Sequence, residues 1–439
     1  MDKIQDREGI ANLPVTELED ALKEFLAPVA AQLPDVRLRR VLGQAVQGIV
    51  GGQSPVVTEL SRNVARSQEY VWPLAKRVYR FLANRRFGHQ ALERGLYAIA
   101  QKTVEQADPA YLVVALDPVN FEKPYTEKLE GVSTVMKSTP PGPHGKKRLT
   151  PGYPALTATI VNLAVPAIAY ARWFSYQTKD FLSENRELWR AIEQTRRRFP
   201  RRRLRFVADS GLDDQKLFGQ MRQATAEFIS RARPLNRSVE VFNDRLERWE
   251  PGRLESLVAT GPQGLRVQVA FPHARRERTV TIEIGWLQLR LPGQTWPLWA
   301  LIAHDPDLDR DLVLLTNVPI RSAADAHTVY TDWRYRSRIE HTYRFDQEDG
   351  LDVEDMRVQT RERMRRLFIL VLRATLFVYH LGVTWPRDAI RWLRCLGGKR
   401  GLRIDRDGPY VLLAGIRAVF VTAATLAFAA HHPFPAGHT

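Results

Sequence analysis

Apolar and polar positions change period several times along the chain. In "LEDALKEFLAPVAAQL" and "LRRVLGQAVQGIV" apolar residues recur every three or four positions, which predicts amphipathic helices. "GGQSP" (51–55) breaks that pattern. "VVTELSRNVA" and "YVWPLAKRVYRFLAN" then predict two short helices joined by a turn. This is the outline of a helix-turn-helix with Lys76, Arg77 and Arg80 on its second helix. The same segments also suit a plain helical bundle with a solvated basic face.

From about residue 108 the period shifts to two. "AYLVVALD", "TATIVNLAVPAIAYARWFS", "RLRFVADS" and "EFISRAR" predict strands. An amphipathic helix lies in "DFLSENRELWRAIEQTRRRF", and "DSGLDDQKLFGQMRQA" opens another. The alternation predicts an α/β domain. Between the first two strands "KSTPPGPHGKKRLTPGYP" (137–154) predicts a loop, whose Lys146, Lys147 and Arg148 are candidates for touching phosphates. Residues 235–320 form a β-rich block with strands predicted in "RSVEVFN", "RLESLVATG", "GLRVQVAFP", "RTVTIEIGWLQLRL", "PLWALIAH" and "LVLLTNVP". "SAADAHTVYTDWRYRSRIEHTYRFDQE" (322–348) contains neither Gly nor Pro and predicts one long helix. The helical pattern then continues to the end. The predicted divisions are a helical region 1–105, a first core segment 106–234, a β-rich insertion 235–320, a core helix 321–350 and a helical region 351–439.

Two C-terminal stretches, 367–383 and 410–430, are apolar enough to raise the question of a membrane. Arg373 and Arg417 lie near their middles, a costly placement in lipid, so buried core helices are expected and no membrane role. The N-terminal stretch "MDKIQDREGIANLPVTELED" shows no apolar signal region, and the single Cys395 excludes an intramolecular disulfide or a Cys-rich zinc site. A cytoplasmic setting follows as the expectation.

Charge narrows the picture. The chain has 65 Lys and Arg against 49 Asp and Glu, a net +16, which favours a polyanionic partner through phosphate contacts and counterion release. The run "TRRRFPRRRLR" (195–205), with Arg201, Arg202 and Arg203, is a candidate for contact with a DNA backbone.

The candidate chemistry lies where apolar runs stop on acids. Residues 112–116 end at Asp117, and 204–208 end at Asp209. Carboxylates at adjacent strand ends converge and repel, a conflict that a divalent cation removes. Mg²⁺ favours a few carboxylate oxygens with waters and phosphates, and two such ions stabilise both oxygens of a phosphodiester displacement. Either Asp alone equally suits a strand terminator that caps a turn. A third acid changes the balance. Trp333, Arg336, Glu340 and Gln347 are spaced to lie along one helix face, which offers an acid to the site and a guanidinium to a phosphate. Arg336 and Glu340 also have the spacing of an ordinary i,i+4 ion pair.

The order Asp117, Asp209, Glu340, with a β-rich segment between the last two, resembles the DDE transposases of bacterial insertion sequences. The group it looks like carries its Glu in a helix reading Tyr-x-x-Arg-x-x-x-Glu-x-x-x-x-x-x-Lys. Here those positions hold Trp333, Arg336, Glu340 and Gln347, so the Tyr and Lys are replaced, with Arg344 one turn before the missing Lys. "ALDPVNFEKP", "VADSG", "EFISRAR" and "LVLLTNVPI" are similar to the family's strand segments, and the likeness spans roughly 108–350. It implies an RNase H-like α/β catalytic core interrupted by a β-rich insertion, with helical N-terminal and C-terminal regions. It also implies cleavage at transposon ends and strand transfer into target DNA, with two Mg²⁺ ions (Mn²⁺ as substitute) held by Asp117, Asp209 and Glu340. Arg336 would contact a phosphate near the cleaved end, and Arg231 matches the basic residue of the "EFIS" strand. The implied partners are duplex DNA with terminal inverted repeats, target DNA and a second copy of the chain on paired ends. A Trp that related enzymes use to hold a flipped base aligns with Leu312; Trp286, Trp296 and Trp299 are the nearby alternatives.

Overall fold

The computed structural model describes residues 13–124, 126, 128–137, 148–243, 245–260, 265–273, 276–306, 311–347, 350–398 and 408–432. Lys146 and Lys147 lie outside them.

Five helices come first: α1 (Val15–Ala30), α2 (Val36–Gly52), α3 (Val57–Arg62), α4 (Val71–Leu82) and α5 (His89–Ala107). Asp35 starts α2 by accepting a hydrogen bond from the Leu38 amide, one of the otherwise unpaired N–H groups of a first turn. The short helices predicted at 56–84 are α3 and α4, packed on one another.

The centre is one twelve-stranded mixed sheet. Its first half holds β1 (Leu112–Glu122), β2 (Ser133–Met136), β3 (Leu149–Ile160), β4 (Ala167–Trp173), β5 (Leu204–Ala208) and β6 (Glu227–Arg231), with α6 (Glu184–Arg198) and α7 (Gln215–Gln223) in the connections. β4, β3 and β1 are antiparallel in turn, and β1, β5 and β6 are parallel. The run 157–175, read from its pattern as one strand, folds back on itself as parts of β3 and β4, because "VNLAVP" makes the turn between them.

The second half extends the same sheet. β7 (Ser238–Asn243), β8 (Arg248–Arg253), β9 (Leu265–His273), β10 (Arg276–Arg290), β11 (Leu298–His304) and β12 (Leu312–Thr316) join it through β12, which pairs with β6. One predicted strand is corrected. "RLESLVATG" contributes helix α8 (Leu254–Thr260), whose Leu254, Leu257 and Val258 have helical spacing.

The helix predicted over 322–348 is two helices, α9 (Ala323–Arg334) and α10 (Ser337–Gln347). Around the break, Arg336, Arg338 and Ile339 each donate their amide to a carbonyl only three residues back. Neither Gly nor Pro is needed. Arg338 donates to the carbonyls of Val161 and Leu163 at 2.7 and 2.9 Å, and the Trp333 indole donates to the Ala208 carbonyl at 3.3 Å. Tertiary hydrogen bonds on either side of the break outweigh local helix propensity.

Apolar side chains of β1 and β5 divide between two cores. Leu112, Val114, Leu116 and Phe206 face α6 and α7; Val113, Ala115 and Val207 face α9 and α10. A third core joins the two ends of the chain. α11 (Arg361–Thr384), α12 (Arg387–Leu396) and α13 (Pro409–His431) pack with α1–α5. Phe121, stacked on Trp173 at 4.8 Å with Phe368 of α11 beside both, fastens this core to the sheet.

α11 and α13 are long and apolar enough to cross a membrane by length and composition. α11 is a core helix as expected, with Arg373 fully buried and donating to the Leu92 carbonyl. α13 departs from that expectation. Less than half of its apolar window is buried, and Arg417 is exposed and donates to Gln53 at 2.7 Å.

Candidate functional site

Register places the candidate residues. Ala115 of β1 is level with Val207 of β5, and Val207 with Ile229 of β6. Asp117 and Arg231 lie two residues further along their strands and Asp209 just past the end of β5, so the three fall at about one level of the sheet, on the side covered by α9 and α10.

Asp117 does not end its strand, which is a correction to the sequence pattern. β1 continues to Glu122, with Asp117 opposite Thr157 of β3. What ends at this level is β5, so one side of β1 loses its neighbour here. That open side also accommodates Pro118, which has no N–H to give. Asp209 does lie just past its strand.

Glu340 comes from the first turn of α10, with Arg336 just before that helix. Asp117 is half-buried, and burial is the main cause that pushes its carboxyl up to about 7. The positive charge of Arg336 opposes the shift, while Glu340 and Asp209 add to it, so all these groups act within one field.

Arg336 stands in the middle. Its guanidinium pairs with Glu340 at 2.6 Å and lies 5.6 Å from the Trp333 ring, while its buried Nε has no hydrogen-bond partner. Asp209 Oδ1 is likewise enclosed and unpaired; the nearest cation, Arg231, is 3.7 Å away, too far for a hydrogen bond. Two orphaned polar atoms beside three acids leave bonding capacity for a ligand. Three carboxylates suit a hard cation. As they stand, no three His, Cys, Asp or Glu side chains among the described residues are drawn close enough to enclose one. The Arg336 guanidinium takes the cationic place beside Glu340.

Tyr343 and its partner Thr157 escaped the sequence reading. The buried Tyr343 hydroxyl lies 2.6 Å from Thr157 Oγ1 and donates to the Asp117 carbonyl at 2.8 Å, fixing the backbone under the acid. The signal was present: Tyr343 follows Glu340 by three, one turn along the same face. Gln347 donates to the Asn120 carbonyl at 3.0 Å and ties the end of α10 to β1. Arg344 is exposed on the same helix.

Other candidates lie elsewhere. Arg201, Arg202 and Arg203 precede β5 and are about 17 Å of strand from Asp209. Arg202 pairs with Asp108 at 2.7 Å and Arg203 with Glu227 at 2.5 Å, while Arg201 is exposed. A cleft of about 420 Å³ at this far end, lined by Arg196, Arg197, Arg202 and Arg203, also contains Glu193 and Glu227. Those acids already answer much of its charge, and the cleft is remote from Asp117. On α4, Lys76 and Arg80 are exposed and Arg77 is held by Glu69. Leu312 is buried, as is Trp296 beneath Arg222.

No protein-family model matches the chain, and no curated protein matches it.

Proposed function

We propose that this chain is a DNA transposase of the DDE type, with an RNase H-like core that cleaves transposon ends and transfers them into target DNA by a cut-and-paste route. The observation that carries the reading is the placing of Asp117, Asp209 and Arg231 at one level of three adjacent strands or their ends, with Glu340 of α10 and the preceding Arg336 beside them. The acids stand outside the carboxyl end of β5, where the sheet order reverses about β1, the usual position for a ligand in an open α/β sheet. Two Mg²⁺ ions, or Mn²⁺, held by Asp117, Asp209 and Glu340 would supply charge stabilisation for the attacking and leaving oxygens. Arg336 would exchange Glu340 for a phosphate oxygen of the cleaved end, and Arg231 would add a second cation beside Asp209. The partners are duplex ends with inverted repeats, target DNA and a second copy of the chain, in a cytoplasmic, nucleoid-associated setting.

The Arg336–Glu340 pair also favours a second reading, a transposase-derived DNA-binding protein in which the acids no longer act. Incubating the full chain with Mg²⁺ and duplexes carrying the repeats that flank its reading frame decides. Cut ends and joined products are expected. Cutting without joining indicates an RNase H-like nuclease, and binding without cutting indicates the second reading.

A pH test reports on the cation separately. The Asp117 carboxyl holds its proton more tightly in the folded chain, so its contribution to stability falls as pH rises from the ordinary carboxylate range through about 7. A bound divalent ion reverses this, because it needs the ionised form. Mg²⁺ or Mn²⁺ is therefore expected to raise the thermal midpoint more at about pH 8 than at about pH 6, where proton competition at Asp117 weakens binding about ten-fold. Equal stabilisation at both pH values would remove Asp117 from the ligand set.

Arg201→Ala is expected to weaken DNA binding equally for all sequences and to reduce the salt slope by about one, as for loss of a phosphate contact. An unchanged slope would make the 195–205 run a structural one.

A further inference from the structure

α4 buries Leu74, Ala75, Val78, Phe81 and Leu82. At about 100° per residue, Trp72, Pro73, Lys76 and Arg80 fall within about 100° of arc on the opposite side. All four are exposed. Lys76 and Arg80 have no acidic partner among the described residues, so this face carries two cations around one indole.

Trp72 is the unexplained member. It is 54% exposed, and the Lys76 ammonium lies 5.5 Å from its ring centre. Its neighbours are accounted for. Tyr70 packs against Phe428 at 5.8 Å and His432 at 4.6 Å, and the His432 ring is 3.0 Å from the Gln68 carbonyl, so the end of α13 supports the entry to α4. Arg77, on the flank, is fixed by two bonds to Glu69 at 2.7 and 2.8 Å. An indole set between two cations offers an anionic partner both charge and an apolar contact.

We propose that this face of α4 enters the major groove of duplex DNA and that Trp72 determines specificity by packing against the C5-methyl of a thymine, with Lys76 and Arg80 on flanking phosphates. This deepens the transposase reading and rests on it. The chemistry selects the contact. Indole has one N–H donor and no acceptor, so it cannot make the bidentate pairings that read guanine or adenine. The thymine methyl is the apolar group that base pairs present in the major groove. Phosphates supply most of the affinity and no sequence information, which suits the two cations.

The test uses the full chain and duplexes that it selects from a random-sequence pool. Trp72→Ala is expected to lower the affinity ratio of selected to scrambled duplex about ten-fold, with an unchanged melting profile. Trp72→Phe is expected to keep most of the ratio. Lys76→Ala is expected to weaken both duplexes alike and flatten the salt dependence by about one unit of slope. Replacing thymine by uracil, which removes only the methyl, is expected to weaken the wild-type chain at one position and Trp72→Ala at none. The proposal is overturned if Trp72→Ala keeps the ratio, if uracil is tolerated everywhere, or if single strands bind better than duplex. Duplex binding without sequence preference, alongside intact cleavage, sinks this proposal alone. No DNA binding at low salt sinks the transposase reading with it.

Discussion

Asp117→Asn, Asp209→Asn and Glu340→Gln are each expected to reduce cleavage and strand transfer by orders of magnitude and to leave duplex affinity within a few-fold of wild type. Phosphoryl transfer depends on positioning and on stabilising charge, and an amide keeps the shape of a carboxylate without its charge. The three positions differ in their surroundings. At Asp117 the amide removes a half-buried carboxyl whose burial and acidic neighbours oppose ionisation, so Asp117→Asn should melt no lower than wild type near neutral pH. An inactive variant that melts normally cannot be dismissed as misfolded. At Glu340 the amide releases Arg336 from its 2.6 Å pair. Gln347→Ala should be mild by comparison, since it removes only the ties to Asn120 and Glu354, worth about 1 kcal/mol. Substantial cutting by Glu340→Gln in Mg²⁺ would remove the third ligand from the proposal.

Arg205→Ala is expected to cost about 3–5 kcal/mol of stability, because it strands buried acid. Arg205 is 3% exposed and lies within a run that reads as a basic surface stretch. In the fold it points under α9, where its guanidinium bonds Asp332 and, at 2.9 Å, Glu227, while the Tyr111 hydroxyl donates to Asp332 at 3.1 Å. Asp332 is pushed upward by burial, and this arginine is what counters the shift. Removing the cation leaves the acid enclosed, so the variant should recover partly at low pH, where Asp332 takes up a proton. Arg205→Met combined with Asp332→Leu should regain much of the loss, since it removes both charges together. Thermal melting at two pH values reads this directly. A normal melting point with weakened DNA binding would show that Arg205 serves the surface after all.

Why one arginine of that run is buried shows where legibility ended. Apolar stretches 112–116, 204–208 and 227–231 were readable as strands, and their polar ends drew attention to Asp117, Asp209 and Arg231. That these three share a level was not readable, because register depends on pairing between segments far apart in sequence. The same limit hid Thr157 opposite Asp117 and the extension of β1 beyond it. The break between α9 and α10 carried no local mark, since its cause is hydrogen bonding to Val161, Leu163 and Ala208. α8 was missed for a different reason. Seven residues beside a strand are too few for a period to stand out, although Leu254, Leu257 and Val258 carry one.

The shared core of α1–α5 and α11–α13 bears on how the protein is made. Ribosomal synthesis usually lets an N-terminal unit fold first. Here Leu42, Ile49 and Leu92 bury themselves in one cluster with Leu376, Ile416 and Phe420, residues translated several hundred positions later. Until α13 leaves the exit tunnel, the N-terminal helices, among them α4 with Lys76 and Arg80, lack part of their packing. Premature termination is therefore expected to yield fragments that are degraded rather than truncated proteins competing for DNA.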